Sequence, residues 1–432
     1  MTATWNIPHT IALRYLLSGV ALLFIILSQP NWRSYFFKNK ILFLFFFYLI
    51  IHLILIPPDF RAAFATYKSQ WFKFFLFIVI GAGAGLVLAK CDLNKVLLVL
   101  GLGFCIPPVL HLILSFNVML SSGKIPWGHT GVSVSHGDIG YSALAASLFL
   151  APLIFNNTPS KFIKQFSLVA LLLCLMSLLI AQSRGGIIFY FFSVGGAFGI
   201  YAYSKSKLQN QRYFLYLIPL IPIIFAVFLK FQIHEMHQQS KWNGMIERTT
   251  FGFIGDDPLK INCEGPELIY SILAEKNIAI TPEIERYIRN TIDGDGARIL
   301  AARGAIYLSV IYPFGIDGSK NSYQIALTQY CKKPPSIMLA NAHVGWLDTS
   351  LSIGIPGALL LLAYFLSCFS IARSSYKNKP SLLVISTSLM LVSLIWLIRS
   401  CFDSSQRDQM LEMQAFVMSY LSAVLFSRND ES

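Results

Sequence analysis

The sequence predicts an all-α polytopic membrane protein with about 11–12 transmembrane helices, and three observations carry that prediction. Hydrophobic residues make up 55% of the chain and charged residues 13%, with a mean hydropathy of +0.60, far from the balance of a soluble globular chain. Apolar runs recur at close to the roughly 20 residues that a helix needs to cross about 30 Å of hydrocarbon. Phe is abundant, at 35 residues, and Trp and Tyr cluster near the ends of the runs, where amphipathic rings favour the headgroup region. The formal net charge of +13 does not point to nucleic acid, because Lys and Arg fall mostly in short loops between runs, where they set topology. Membrane lipid is the partner this composition implies, and nucleic acid is not expected.

Taken in order, the length rule gives eleven spans, at about 11–28, 41–56, 72–89, 96–114, 138–155, 166–182, 187–203, 214–230, 350–370, 381–398 and 410–426. The first run, Ile11 to Ser28, is long enough to span and lacks a small-residue cleavage site, so it reads as a span and not as a cleaved signal peptide. Alternate loops differ in charge. One set holds Arg33, Lys38, Lys40, Lys90, Lys95, Lys161, Lys164, Lys205, Lys207, Arg212, Arg373, Lys377, Lys379 and Arg428; the other holds only Arg61, Lys68, Lys124, Arg184, Arg399 and Arg407. The richer set belongs to the cytoplasmic side. That orientation leaves residues 57–71, 115–137, 183–186 and the long segment 231–349 outside, with the C-terminus inside and, at eleven spans, the N-terminus outside. The chain therefore divides into N-terminal spans (1–230), an outer loop subdomain (231–349) and C-terminal spans (350–432).

Ala82-Gly83-Ala84-Gly85 in the third span is a small-residue surface for helix packing. Five cysteines, Cys91, Cys105, Cys174, Cys368 and Cys401, sit in or beside spans as small apolar residues. Cys263 and Cys331 share the outer segment and are free to pair if it faces an oxidising compartment; sequence leaves open whether they approach each other. The outer segment reads as helical. Thr281-Pro282-Glu283-Ile284-Glu285 opens one helix, since Thr caps, Pro suits the first turn and the acids face the positive end of the dipole. A second runs from about Ala297 to Tyr312, stopped by Pro313 and Gly315, and Glu264–Lys276 reads as a third.

Candidate chemistry gathers on the outer side. Arg184 occupies Ser183-Arg184-Gly185-Gly186, a turn so short that its guanidinium must lie at the mouth of the bundle, either snorkelling or gripping an anion. Arg298 follows Asp293-Gly294-Asp295-Gly296 at a helix start, where N–H groups and the dipole reinforce an anion site. Arg303 lies five residues on, about 140° round the helix, so the two cannot share one small site; it reads as a solvent-facing charge or a peripheral binding cation. Arg61 and Lys68 in the first outer loop are interfacial anchors or further anion ligands. His343 sits where the polar segment runs into a span, and a neutral imidazole near pH 7 suits a general base for a sugar hydroxyl. Its nearest carboxylate in sequence is Asp348. His52, His111, His129 and His136 are weaker candidates, and His234-Glu235-Met236-His237 lacks zincin spacing. No Walker loop, CxxC, Gly-x-Ser-x-Gly or metal-ligand cluster is present, so neither a metal nor a cofactor is expected.

Three features in one order resemble the O-antigen ligase and polymerase superfamily. They are the short-turn Ser183-Arg184 between two central spans, Arg298 fifteen residues before Pro313-x-Gly315, and His343 followed after ten residues by Gly354-x-Pro356-Gly357. The resemblance spans most of residues 40–426. It implies twelve spans with both ends inside, and a glycosyltransferase of the bacterial inner membrane that acts on the periplasmic face. It implies that O-antigen polysaccharide passes from undecaprenyl diphosphate to the lipid A–core in lipopolysaccharide biosynthesis, without metal and with inversion. Arg184 and Arg298 would hold the diphosphate, with Arg61, Lys68 and Arg303 contributing, while His343 deprotonates the acceptor. Where many members carry a second His or an Asn beside the key histidine, this chain has Val344 and Gly345, which leaves the partner of His343 unassigned. An O-antigen polymerase would use the same donor. A transporter or flippase usually needs ionisable residues mid-span or discontinuous helices; the spans contain no central Asp or Glu, and no inverted repeat is detected.

Overall fold

In the computed structural model, residues 1–7, 9–124, 126–128, 136–209, 249–250, 252–253 and 255–430 are described; the eighth expected span (214–230), the start of the outer segment (231–248), His129, His234 and His237 lie outside them. The described chain is an all-α polytopic membrane protein with no strand. Its helices are α1 (Ile11–Leu27), α2 (Trp32–Lys38), α3 (Lys40–Leu55), α4 (Phe60–Ser69), α5 (Trp71–Leu88), α6 (Leu93–Ser122), α7 (His136–Phe155), α8 (Lys161–Ala181) and α9 (Arg184–Gln209). A helical cap follows: α10 (Pro258–Glu264), α11 (Pro266–Glu275), α12 (Pro282–Asp293), α13 (Asp295–Ile311) and α14 (Ser322–Cys331). The chain closes with α15 (Gly345–Asn378), α16 (Leu383–Arg399) and α17 (Asp408–Asp430). Ten of the eleven expected spans thus fall on described helices; α1, α3 and α16 are shorter apolar helices, and the other seven expected spans lie in the seven described helices long and apolar enough to cross a membrane.

The centre of the bundle is α17, buried from Met410 to Phe426. In lipid there is little hydrophobic drive between helices, so close approach depends on small residues. Gly81 and Gly85 of α5 supply it: a Cβ on either would strike the Phe416 or Tyr420 carbonyl of α17. Gly83, on the other face, lies under Ile25 and Trp32. The small-residue surface read from the sequence therefore packs two faces of α5. The outward face of α3, with Phe47, Ile51, Ile54 and Leu55 exposed, is an apolar surface of the kind that suits lipid. An ionic pair lies inside: Arg14 of α1 meets Glu412 of α17 at 3.6 Å, and Tyr15 donates to the same carboxylate at 3.0 Å. Glu412 sits little more than one turn into α17, near its cap end.

Thr281 caps α12 as expected, its hydroxyl accepting from Ile284 N–H at 3.2 Å. The expected second helix appears as α13 and the third as α11, while α10 and α14 were not anticipated. Cys263 of α10 and Cys331 of α14 form a disulfide with Cα atoms 5.5 Å apart. It joins the cap across the apolar cluster of Leu259, Ala301, Ala305, Leu308, Tyr323 and Leu327.

The cap rests on a break in α15. Ile353 and Gly354 leave helical geometry there, Gly354 with φ 79° and ψ 164°. Pro356 has no N–H, so the Ser352 carbonyl loses its helical donor, and the carbonyls of Leu351, Ser352 and Ile353 each accept from a neighbour instead. Gly318 N–H donates to Ser352 O at 2.9 Å and Ile316 N–H to Leu351 O at 3.0 Å. Tyr48 donates its hydroxyl to Ile353 O at 2.6 Å, and Ile355 N–H reaches Pro313 O at 2.8 Å. His52 of α3 binds Phe314 O at 2.7 Å and also meets the Tyr67 hydroxyl, so α3 and α4 brace the same strap from the other side. Gly-x-Pro-Gly is thus the seat of the strap after α13, and it divides α15 into a short polar half-helix (345–352) and the spanning helix that follows.

Candidate active site

His343 lies in the turn just before the short half-helix. Its backbone is left-handed, with φ 56°, a conformation uncommon for a residue with a Cβ. Three hydrogen bonds hold it. His343 N–H donates to the Asn341 side-chain oxygen at 3.0 Å, Ala342 N–H to Asp348 Oδ1 at 2.7 Å, and Gly345 N–H to the Asp403 carbonyl at 3.0 Å. All three anchors depend on the loop between α16 and α17: Asp403 takes the third directly, and Ser404 Oγ lies 2.8 Å from Asn341 Oδ1 and 2.7 Å from Asp348 Oδ2.

The electrostatic setting of the imidazole comes from the same loop and from the cap. Burial, reinforced by the Arg298 guanidinium, lowers His343 from its ordinary 6.5 to about 4; Asp403 opposes the shift and Arg407 adds to it. His343 is therefore a neutral imidazole across the physiological range. Arg298 projects from the first turn of α13, exposed, and its guanidinium has neither a hydrogen bond nor an ion pair among the described residues. One turn before it, Asp295 takes the Arg184 guanidinium at 3.4 Å. Arg184 is the first residue of α9, after a turn made by Gln182 and Ser183. Gly186 lets α9 approach Gly140 of α7, whereas a Cβ on Gly185 would meet nothing within 4 Å.

Arg184, Arg298 and His343, far apart in sequence, thus share one end of the bundle. The other expected cations do not join them. Arg303 is turned to the opposite side of α13, where it donates to the Gly252 carbonyl at 3.0 Å and the Gly255 carbonyl at 2.7 Å and lies over the Phe253 ring. It is neither solvent-facing nor beside His343; it ties a loop of the cap. Arg61 and Lys68 are exposed on α4, and among the described residues no contact links them to Arg184, Arg298 or His343.

Residues that sequence reading passed over complete the site. Arg399, buried at the end of α16, stacks on the Tyr141 ring at 3.5 Å and reaches Asp403 at 3.4 Å, while the Tyr141 hydroxyl donates to the same carboxylate at 2.7 Å. Arg407, with 14% side-chain exposure, makes only long contacts, 3.5 Å to Asn321 and 3.5 Å to Asp408. Arg399, Asp403 and Arg407 recur at four-residue spacing, a pattern visible in the sequence, where the two arginines read only as topological charge and Asp403 goes unremarked. Among the described residues no three His, Cys, Asp or Glu side chains gather as a metal-ligand set. Chemically, the arrangement offers a neutral base beside an unpaired guanidinium, with further guanidinium groups close by. No protein-family model matches this chain, and no curated protein matches it.

Proposed function

We propose that the chain is an O-antigen ligase: a glycosyltransferase of the bacterial inner membrane that passes polysaccharide from undecaprenyl diphosphate to a lipid A–core sugar on the periplasmic face. The observation that carries this reading is the meeting of Arg184, Arg298 and His343 at one end of an apolar bundle. The acceptor hydroxyl loses its proton to His343 as its oxygen bonds to the anomeric carbon from the side opposite the diphosphate. The glycosyl–phosphate C–O bond breaks, its electron pair leaves with undecaprenyl diphosphate, and the configuration inverts. Arg298, whose guanidinium lacks a protein partner among the described residues, takes the leaving diphosphate, and Arg184 supports it from α9. An anion bound there cancels part of the positive field that depresses His343, so the base gains strength only once the donor is in place. The Cys263–Cys331 disulfide agrees with an oxidising compartment for the cap, and the Lys and Arg bias of the loops agrees with the same orientation.

The test is transfer by purified protein in detergent, given undecaprenyl-diphosphate polysaccharide and lipid A–core with EDTA present. Wild type transfers glycan, whereas His343→Ala and Arg298→Ala do not. Lengthening of the lipid-linked glycan without transfer to lipid A–core would replace the ligase with a polymerase, and absence of both reactions would refute the reading.

A further inference from the structure

The hydrogen bonds around Ser404 contain one proton too few if every carboxyl group there is ionised. Ser404 has a single hydroxyl proton, yet its Oγ lies 2.8 Å from Asn341 Oδ1 and 2.7 Å from Asp348 Oδ2. Turning the Asn341 amide round does not help, because the atom facing Ser404 also accepts His343 N–H at 3.0 Å. That atom must be the oxygen. Asp348 Oδ1 is likewise committed, as acceptor of Ala342 N–H at 2.7 Å. The remaining donor can come only from Asp348 Oδ2. Asp348 is 8% exposed; burial raises its carboxyl from 3.8 to about 6, with Asp403 adding to the rise and Ser404, Ala342 N–H and Arg407 opposing it, and Tyr323 is a phenol that feels its charge.

We propose that Asp348 is held as a neutral carboxylic acid, and that its proton starts a one-way chain that positions His343. Asp348 Oδ2–H donates to Ser404 Oγ, Ser404 O–H donates to Asn341 Oδ1, and that oxygen accepts His343 N–H. With the second oxygen of Asp348 on Ala342 N–H, one buried acid fixes two successive backbone amides, and the left-handed backbone of His343 is the result. An ionised Asp348 would compete with Asn341 for the Ser404 proton and release one end of the turn. Asp348 is thus a positioning residue that acts through the backbone of His343. Its proposed effect on transfer rests on the ligase reading; its protonation does not.

Two measurements on the full-length protein at about pH 5.5, where an ordinary aspartate is ionised, separate these. The infrared difference between wild type and Asp348→Asn contains the C=O band of a protonated carboxylic acid, which shifts on transfer to D2O. In the transfer assay Asp348→Asn stays within about threefold of wild type, because an amide donates to Ser404 and accepts from Ala342 as the acid does. Asp348→Ala and Ser404→Ala lose at least tenfold. Absence of the acid band overturns the proposal whatever the activity. A band accompanied by equal loss in Asp348→Asn and Asp348→Ala overturns the positioning role. A band in a protein that transfers no glycan upholds the protonated acid and refutes the ligase reading instead.

Discussion

Replacing Gly354 by Ala tests the break in α15 on which the cap is seated. At φ 79° and ψ 164° the backbone occupies a region that is essentially reserved for glycine, and holding another residue there costs about 1–3 kcal/mol. A Cβ would also lie 2.5 Å from the Phe314 carbonyl carbon and 2.7 Å from its Cα. Those atoms cannot easily retreat, because Phe314 O is bound by His52 and the adjoining Pro313 O by Ile355 N–H. Overpacking against backbone adds about 1–3 kcal/mol. The expected destabilisation is therefore about 2–6 kcal/mol, a fall in apparent melting temperature of roughly 2–7 °C for a chain of 432 residues. The assay heats detergent-solubilised protein and measures the monodisperse fraction by size exclusion. Gly185→Ala is the control: its Cβ meets nothing within 4 Å, and it should stay within about 0.5 kcal/mol of wild type. If Gly354→Ala and Gly185→Ala melt together, the strap does not hold the break and the backbone accounting is wrong.

Other outcomes follow from the same geometry. Removing the Cys263–Cys331 disulfide by Cys263→Ser with Cys331→Ser releases a loop with a sequence separation of 68, worth about 4 kcal/mol by chain entropy; limited proteolysis should then cut residues 258–331 first. Because burial and Arg298 lower His343 to about 4, it contributes stability that is complete above the unfolded value near 6.5 and is lost as pH falls through 4. The acid limb of kcat/KM should lie near pH 4, that of kcat should lie higher because the bound diphosphate raises the imidazole, and in the inactive Arg298→Ala the titration of the His343 imidazole itself, followed by NMR, should move upward. Arg298→Ala should leave the melting temperature unchanged, since it removes no protein contact, whereas Arg303→Ala should cost about 1–3 kcal/mol by stranding the Gly252 and Gly255 carbonyls. Equal melting of those two variants would show that Arg303 is not a structural tie.

Much of the architecture was legible because lipid imposes it. A span must be helical and apolar over a fixed length, so ten expected spans reappear as described helices, and the capping of α12 by Thr281 follows from local hydrogen bonding alone. Helical period also placed Arg298 and Arg303 on different faces of α13. The shared position of Arg184 and Arg298 was anticipated from sidedness, but their link through Asp295 was not. Asp295 had been read only as part of a turn, and its ion pair crosses 111 residues.

What the sequence by itself determined is the all-α membrane bundle, its helical cap and a short set of polar residues worth testing. Each follows from rules that act within one turn or one span. Tertiary structure alone decided that Arg303 ties a loop, that Gly354 and Pro356 seat the strap after α13, and that Asp403 and Ser404 reach His343. Those contacts join segments tens to hundreds of residues apart. Their pairing depends on how helices pack and where buried donors find acceptors, which no local pattern of residues encodes.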